Sequence, residues 1–281
     1  MKKIPLFIIS ILLSAQLMSC TENISDVSGC YYPFRLYDGS PVITLSENGT
    51  KLRLQVDTGS RISYVFRSGL KKMDGEYDAT RPMTLPTDFY LGYQKNKPVT
   101  FFYNPAVRKI RGTDGILGMD ALSSRDYLVI DYRKKQFLMT DKEPECRYWI
   151  TAESDEGCFK MPVIIENIRI SATLDTGSDA NNIYVPLRTY PRKYREKTIL
   201  LFTQDNSGIY VYERIYEMKY TLPDSDYISA ASFSDMHAYT DKLFPPTAGQ
   251  ERPECLLGYP FFKNNFVCLD FKNGRIGIIK E

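Results

Sequence analysis

Residues 54–60, Leu-Gln-Val-Asp-Thr-Gly-Ser, and residues 172–178, Ala-Thr-Leu-Asp-Thr-Gly-Ser, carry the same tetrapeptide in similar surroundings. In each copy a run of alternating, β-prone residues leads up to the aspartate, and a second apolar run follows the serine. This alternation predicts a half-buried strand on each side of a tight loop, and glycine is the residue that such a loop needs. Two copies of a rare tripeptide indicate a duplicated unit, and a duplicated carboxylate suggests paired carboxylate chemistry.

The repeat extends upstream of the tetrapeptide in both halves. The first half runs from Pro41 to Val56 with a polar turn at Glu47-Asn48-Gly49. The second half runs from Pro162 to Leu174 with a turn at Glu166-Asn167. Two apolar runs joined by such a turn predict a β-hairpin. Each aspartate is therefore expected to cap the far strand of a hairpin.

A second matched element lies downstream in each half. Ile116-Leu117-Gly118 and Leu256-Leu257-Gly258 each precede an apolar run that ends at an aspartate, a polar turn and a closing strand. The charged stretch from Glu143 to Gly157 is interpreted as the connection between the two halves. Short helices are predicted after the two glycines, over Met119 to Arg125 and Pro260 to Asn264.

The composition is that of a globular, mainly β protein. The chain has 281 residues, of which 43% are hydrophobic and 25% charged, enough for two modest domains or one larger one. Its 21 Tyr and 15 Phe stand mostly beside β-branched residues, which favours strands. The formal charge of +2 gives no reason to expect nucleic acid. The densest basic run, Arg192 to Lys197, is best explained by a solvated turn or helix face.

The first residues are interpreted as a processing signal. Lys2 and Lys3 precede an apolar stretch that is too short to span a bilayer comfortably. It ends Leu17-Met18-Ser19-Cys20, which resembles the bacterial lipobox, so residues 1–19 are predicted to be cleaved and Cys20 to carry the lipid anchor. Thr21 favours an outer-membrane anchor in a bacterial cell envelope, by resemblance to enteric lipoproteins. The alternative is an ordinary secretory signal with an incidental cysteine.

Five cysteines remain once Cys20 is taken by lipid, so the odd count leaves at least one thiol unpaired. Cys146 with Cys158, or Cys255 with Cys268, would make a local disulfide in an exported protein. Burial as small hydrophobic side chains is equally consistent with the sequence. The sequence therefore leaves the disulfide pairing open.

The paired Asp-Thr-Gly-Ser and apolar-apolar-glycine motifs, in this order, resemble the pepsin and retropepsin superfamily of aspartic proteases. The resemblance covers both halves and implies an all-β, bilobal fold with two β-barrel-like lobes and the active site between them. It divides the chain into an N-terminal tether and first strand at 20–40, a first lobe at 41–148 and a second lobe at 149–281. The chain would act as a catalytic monomer, without cofactor or metal.

The resemblance also implies roles for the residues of both tetrapeptides. Two carboxyls held about 3 Å apart share one proton, so one acts as base while the other acts as acid. The pair activates a water molecule without a covalent intermediate, and aspartic proteases are the established case of a proton shared in this way. The threonines would bond across the lobe interface, the glycines would let amides approach the carboxyls, and the serines would bond the outer oxygens. The residues are catalytic Asp57 and Asp175, with supporting Thr58, Gly59, Ser60, Thr176, Gly177 and Ser178.

The family covers its substrate with a hairpin flap from the first lobe, and the segment with Tyr90 and Tyr93 is the candidate here. A plain hairpin with packed tyrosines explains that segment equally well. Competing chemistries are poorly supported, because the only histidine, His237, has no nucleophile-elbow pattern beside it and no metal-binding motif occurs. The predicted function is an aspartic endopeptidase acting on polypeptides. The alternative is a catalytically silent, peptide- or protein-binding lipoprotein with the same fold.

Overall fold

The structure is a computed structural model that describes residues 29–73, 75–91, 98–107, 110, 112–155, 157–190, 193–202, 207–223, 225–245 and 252–279. The predicted signal peptide and Cys20 lie outside the described residues. Within these ranges the chain is mainly β-strand, and the predicted all-β class is confirmed. Among the described residues, no helix has the length and apolar character needed to cross a bilayer.

The first half consists of short strands and two short helices. They are β1 Gly29–Pro33, β2 Arg35–Tyr37, β3 Ser40–Glu47, β4 Thr50–Val56, β5 Tyr64–Val65, α1 Arg67–Leu70, β6 Met83–Tyr90, β7 Pro98–Tyr103, β8 Gly115–Leu117, α2 Met119–Leu122, β9 Tyr127–Asp131 and β10 Gln136–Thr140.

The second half follows the same plan with one additional long strand. Its elements are β11 Cys146–Thr151, β12 Glu153–Asp155, β13 Cys158–Ile165, β14 Ile168–Leu174, β15 Asn181–Ile183, β16 Lys193–Phe202, β17 Gly208–Thr221, β18 Ile228–Asp235, α3 Thr240–Leu243, β19 Cys255–Leu257, α4 Tyr259–Phe262, β20 Val267–Asp270 and β21 Arg275–Ile279.

These strands form one sheet in each lobe and one sheet that both lobes share. The first lobe has the order β2-β3-β4-β8-β5-β7-β6, and the second has β12-β13-β14-β19-β15-β18-β17-β16, with a further β13–β17 pairing that curls the sheet towards a barrel. The shared sheet has the order β1-β10-β9-β20-β21-β11. The bilobal architecture is thus present.

The hairpins that precede the two aspartates form for the same local reason in both lobes. The turn residues Asn48 and Gly49 have φ of 48° and 83°, and Glu166 and Asn167 have φ of 49° and 63°. Two successive positive φ angles give the tight hairpin turn whose twist matches the flanking strands. The alternation of buried and exposed residues along β4 then places its apolar side chains in the core.

The shared sheet joins the lobes through apolar strands that are buried along their whole length. Every residue of β9 and of β20 is buried, and the two strands pair directly, with Ile130 opposite Val267. Strands buried on both faces read as continuous apolar runs, which is the pattern of Tyr127 to Asp131. Each fully buried Leu or Ile contributes about 1.5–3 kcal/mol relative to an exposed one. The lobes therefore share one core.

Three expectations about local structure need correction. The charged stretch expected to connect the lobes contains β11 and β12, because polar side chains are tolerated on an edge strand. The lobe boundary expected between 148 and 149 falls inside β11. The basic run 192–197 lies mostly in edge strand β16 rather than in a turn or helix. The two predicted helices are present but shorter, ending at Leu122 and Phe262.

Candidate active site

The two aspartates lie at equivalent points of the two lobes. Strands β4 and β14 end immediately before Asp57 and Asp175, and each is paired in parallel with its apolar-apolar-glycine strand, β8 or β19. The backbone amide of Asp57 donates to the carbonyl of Leu117 over 3.0 Å, and that of Asp175 donates to Leu257 over 3.0 Å. The matched tripeptides therefore fix the position at which each aspartate leaves its strand.

The two carboxyls lie close enough to interact side chain to side chain, and each is among the causes of the other's pKa shift. Each also accepts the amide of the glycine two residues on, from Gly59 to Asp57 Oδ1 and from Gly177 to Asp175 Oδ1, both over 2.9 Å. A Cβ atom at Gly59 would lie 2.7 Å from Asp175 Cγ, and one at Gly177 would lie 2.5 Å from Asp57 Cγ. Only glycine permits this approach of each loop to the opposite carboxyl.

The surroundings of the two carboxyls favour their protonated forms. Burial raises the pKa of Asp57, while hydrogen bonds from the Asp175 carboxyl and two backbone amides oppose that rise. Burial, followed by the negative charge of Asp57, raises the pKa of Asp175 well above its ordinary value. Two adjacent carboxyls in this environment cannot both ionise easily. We refer to Asp57 and Asp175 as the dyad, because they titrate as a pair.

Thr58 and Thr176 tie the two loops together in a reciprocal arrangement. Each backbone amide donates to the other threonine's hydroxyl oxygen over 3.1 Å. The Thr58 hydroxyl donates to the carbonyl of Leu174, and the Thr176 hydroxyl donates to that of Val56, both over 2.7 Å. Both threonines are buried. The arrangement fixes each loop to the strand that carries the opposite aspartate.

The serines contact the carboxyls through their backbone rather than their hydroxyls. The amides of Ser60 and Ser178 hydrogen-bond Asp57 and Asp175, respectively. The Ser60 hydroxyl donates to the carbonyl of Ile62 over 2.9 Å, and the Ser178 hydroxyl donates to Ala180 over 2.8 Å. Each hydroxyl has one proton to donate, and it donates that proton to a loop carbonyl. The serine side chains therefore stabilise the loops, and backbone amides hydrogen-bond the carboxyls.

Sequence reasoning missed three side chains that lie outside the two tetrapeptides and contact the carbonyl of the loop glycine in the opposite lobe. The Ser40 hydroxyl and the Gln55 amide both donate to the carbonyl of Gly177 over 2.9 Å. In the other lobe the Cys158 thiol approaches the carbonyl of Gly59 at 3.5 Å. Ser40 and Cys158 begin equivalent strands, β3 and β13. A strict alignment at the spacing of the two aspartates would have matched them.

Tyr132 lies next to the dyad loops and was also missed. Its hydroxyl lies 3.5 Å from the carbonyl of Thr176, and its ring stacks on Phe262 with centroids 5.5 Å apart. Burial, followed by the charges of the two dyad carboxyls, raises the pKa of Tyr132 well above its ordinary value. The phenol therefore stays neutral and available as a donor. Its ring adds an apolar wall close to the dyad.

Of the two flap candidates, Tyr90 is half-buried at the end of β6, and Tyr93 lies outside the described residues. Tyr90 ends β6, and the β6–β7 hairpin corresponds in strand order to β17–β18 of the second lobe. The β17–β18 turn packs on the shared sheet, where Tyr227 meets Tyr148 with ring centroids 6.0 Å apart. Tyr90 lies at the corresponding turn of the first lobe. Its apolar neighbours are core residues, as a plain hairpin requires.

The second lobe has a long hairpin, β16–β17, whose end extends past the neighbouring strand β18. Strand β17 pairs with β18 from Arg214 onward, whereas residues 208–213 pair only with β16. The inner face of this arm, with Ile199 and Val211, packs near Tyr184 and Leu256. Tyr210 on its outer face is 78% exposed. We call residues 195–201 and 208–213 the second-lobe arm.

A pocket of 530 Å³ lies beneath the second-lobe arm. It does not include the dyad, but Asp179 and Ala180, which directly follow the Asp-Thr-Gly-Ser loop of Asp175, form part of its wall. Its polar lining includes Glu213, whose Oε1 accepts the Ser234 hydroxyl over 2.6 Å and whose Oε2 lies 2.9 Å from Lys197 Nζ. The pocket therefore offers a polar, charge-balanced surface that is bordered by the residues directly after the Asp175 loop.

Other candidate chemistries gain no support in the described part of the chain. His237 is exposed, and its ring nitrogen contacts the carbonyl of Tyr184 at 3.3 Å rather than a serine. No group of three or more histidine, cysteine, aspartate or glutamate side chains among the described residues is arranged to hold a metal ion.

The three-sheet architecture, with one aspartate loop from each lobe, is the two-lobed fold of pepsin-like aspartic proteinases. The crystal structure of an aspartic proteinase from Irpex lacteus is similar, with a TM-score of 0.58 and 13% sequence identity over 90% of this chain and 97% of that one. At this identity the similarity concerns the fold. No protein-family model matches the chain, and no curated protein matches it.

Proposed function

We propose that the protein is an aspartic endopeptidase that hydrolyses peptide bonds with a water molecule activated between Asp57 and Asp175. The observation that carries the proposal is the contact of the two carboxyls, each held by a glycine amide and each from a different lobe. A carboxyl pair with one shared proton contains a base and an acid in the same place, which is what hydrolysis without a covalent intermediate requires.

The steps follow from this single proton. The ionised carboxyl takes a proton from the water as the oxygen attacks the scissile carbonyl carbon, and the neutral carboxyl donates its proton to the carbonyl oxygen. The product is a tetrahedral diol. Collapse of the diol returns one proton to the dyad and delivers another to the leaving nitrogen, which breaks the C–N bond. The threonine contacts hold the carboxyls in place, so little reorganisation is needed.

The second-lobe arm is proposed to cover the bound polypeptide. It borders the pocket beside Asp179, and the backbone amide of Tyr212 fastens it to the Tyr239 hydroxyl over 2.8 Å. This reverses the expectation that the cover comes from the first lobe. An extended substrate would lie between the arm and the dyad, with one side chain in the polar pocket.

Removing the fastening hydroxyl is expected to weaken substrate binding. Tyr239→Phe should raise KM about 3- to 10-fold with little change in kcat, because one hydrogen bond contributes about 0.5–1.5 kcal/mol to holding the arm. Tyr210→Phe, on the exposed outer face of the same arm, is the matched control and should leave KM unchanged. Equal KM values for the two variants would exclude the arm as a substrate cover.

The direct test of the proposed function is cleavage of an unfolded protein substrate by the purified protein. We expect cleavage that a statine-type transition-state analogue inhibits, because the analogue's hydroxyl occupies the position of the attacking water. The alternative function, a silent peptide-binding lipoprotein, predicts binding of the same analogue without cleavage at any pH.

Location and assembly belong to the same proposal. Cys20 would carry a lipid anchor in a bacterial cell envelope, with an outer-membrane position favoured, and the two lobes of one chain would suffice for catalysis. Partition of the full chain into a detergent phase tests the anchor. Sedimentation under assay conditions tests the monomer.

A further inference from the structure

The carbonyl oxygen of Gly177, in the loop of Asp175, accepts two hydrogen bonds from side chains of the first lobe. The donors are the Ser40 hydroxyl at the start of β3 and the Gln55 amide near the end of β4, each over 2.9 Å. Both side chains are buried. A carbonyl oxygen has two lone pairs, so these two donors complete its hydrogen bonding. The Asp175 loop is therefore held by the lobe that carries the other aspartate.

The Gln55 amide serves this carbonyl in only one orientation. Turning the amide over would place two acceptor oxygens against each other, so the nitrogen faces the Gly177 carbonyl. The other end of the amide, Oε1, is buried and has no hydrogen-bond partner among the described residues. A buried acceptor without a partner costs free energy that an apolar side chain of similar size would not cost. The bond to the loop, rather than stability, therefore explains a glutamine at this position.

The Gly177 carbonyl belongs to the same planar peptide group as the Ser178 amide. That amide donates to the backbone carbonyl of Asp175 over 3.2 Å and closes the tight turn of the loop. The amide of Gly177 itself donates to Asp175 Oδ1 over 2.9 Å. Because a peptide plane moves as one unit, holding its oxygen also holds the turn that orients the Asp175 carboxyl.

The two halves of the duplicated unit differ at this contact. At the 118-residue spacing of the two aspartate loops, the residues equivalent to Ser40 and Gln55 are Cys158 and Thr173. The structure contains no disulfide among the described cysteines, and the Cys158 thiol approaches the carbonyl of Gly59 at 3.5 Å. A thiol is a weaker donor than a hydroxyl or an amide. The loop of the second lobe is therefore held by stronger donors than the loop of the first.

We propose that Gln55 is a positioning residue of the dyad, because it holds the Gly177 carbonyl and, through it, the turn that orients Asp175. The role is indirect: Gln55 acts through the loop and not on the substrate. Its effect is on the geometry in which the two carboxyls meet, so it concerns turnover more than substrate binding. The inference rests on the proposed endopeptidase function and adds to it a residue that lies outside both tetrapeptides.

Gln55→Met is the variant that tests this role. Methionine has a similar length and is apolar, so it removes the donor and the unpartnered Oε1 together, while the Ser40 hydroxyl still donates to the Gly177 carbonyl. We expect kcat on a fluorogenic peptide to fall about 10-fold and KM to stay within about 2-fold, because small displacements of a catalytic group lower the rate. The unfolding temperature should not fall, since no buried group loses its last partner. A side chain that served only the fold would show the reverse pattern.

Gln136→Met is the matched control, because it makes the same chemical change in β10 of the shared sheet, and it should leave kcat unchanged. Adding Ser40→Ala to Gln55→Met removes both donors to the carbonyl. In each single variant the remaining donor partly replaces the missing one. The double variant should therefore lose more activity than the product of the two single losses.

Amide hydrogen exchange measures the same contact without reference to cleavage. In the unmodified protein, the amides of Gly177 and Ser178 should exchange more slowly than those of Gly59 and Ser60. Gln55→Met should raise the exchange rates of the first pair about 10-fold and leave those of the second pair unchanged.

Three results would overturn the proposal: full kcat in a folded Gln55→Met variant, an equal rise in exchange in both loops, or, in the unmodified protein, exchange in the second loop that is no slower than in the first. The last comparison needs no variant, so it decides the proposal even if Gln55→Met fails to fold. An unmodified protein that cleaves no peptide would refute the endopeptidase function instead, and the exchange rates would still decide whether Gln55 holds the Asp175 loop.

Discussion

Asp57→Asn and Asp175→Asn are each expected to lower kcat/KM for peptide cleavage by at least about 10³-fold, since the missing carboxyl removes either the base or the acid of the hydrolytic step. An amide retains the shape of the carboxyl but cannot share a proton with its neighbour. Because the two carboxyls act as a unit, the double variant should be little worse than either single variant. Asp141→Asn, a surface change with a side chain 51% exposed, is the control and should retain full activity.

The kinetic measurement is kcat/KM on a single fluorogenic peptide across the pH range, with circular dichroism to establish folding. A single Asn variant that keeps near-normal turnover while folded would show that the dyad does not carry the reaction. Loss of activity in the Asp141 variant as well would instead indicate a general effect on the protein.

The same substitutions are expected to stabilise the fold at neutral pH. Burial raises the pKa of both carboxyls, so the folded state binds protons more tightly than the unfolded chain. For such groups the stability is fully present below the unfolded pKa, about 4, and is lost as the pH rises through the folded pKa. Asn removes the charge that causes this loss. The variants should therefore melt above the unmodified protein at pH 7 and show no such gain at pH 3.

Thermal unfolding at the two pH values measures this effect directly. A lower unfolding temperature for both Asn variants at pH 7 would mean that the carboxyls stabilise the fold rather than strain it. The expected combination of lost activity and gained stability is typical of groups that are held together for catalysis.

The parts of the fold that the sequence predicted are those governed by short-range rules. The hairpin before Asp57 follows from the Asn48-Gly49 turn and the alternation of residues around it. The second half repeats the same pattern before Asp175. The tripeptide Ile116-Leu117-Gly118 predicts its own strand and the short helix that follows it. Each of these needs only a few consecutive residues, and the repetition doubles the signal.

The parts that the sequence did not predict depend on contacts between distant segments. Ser40 and Gln55 converge on the Gly177 carbonyl only because the lobes face each other. The basic run that becomes β16 has no apolar alternation, since an edge strand leaves its charges in solvent. The pairing of β9 with β20 in the shared sheet joins strands from different halves of the chain. No local pattern carries that information.

Thr176→Val should both destabilise the protein and disable the dyad, because it replaces a hydroxyl that makes two buried hydrogen bonds. The Thr176 hydroxyl accepts the amide of Thr58 and donates to the carbonyl of Val56, and Thr176 is completely buried. Valine has the same shape but leaves both backbone groups unpaired, at a cost of about 1–3 kcal/mol for each group. The expected loss of unfolding free energy is therefore roughly 2–6 kcal/mol.

The catalytic effect follows from the position of these bonds. Val56 immediately precedes Asp57, so releasing its carbonyl frees the strand end that aims the first carboxyl. A misplacement of about 1 Å in a catalytic group can cost about 10²-fold in rate, and we expect at least that loss in kcat. Thr176→Ser is the matched control: it keeps the hydroxyl and deletes only a methyl group, worth about 1 kcal/mol. Urea unfolding at neutral pH and kcat on one peptide separate the two effects. If the valine and serine variants proved equally stable and equally active, the reciprocal threonine contacts would not be what holds the lobes and their carboxyls in register.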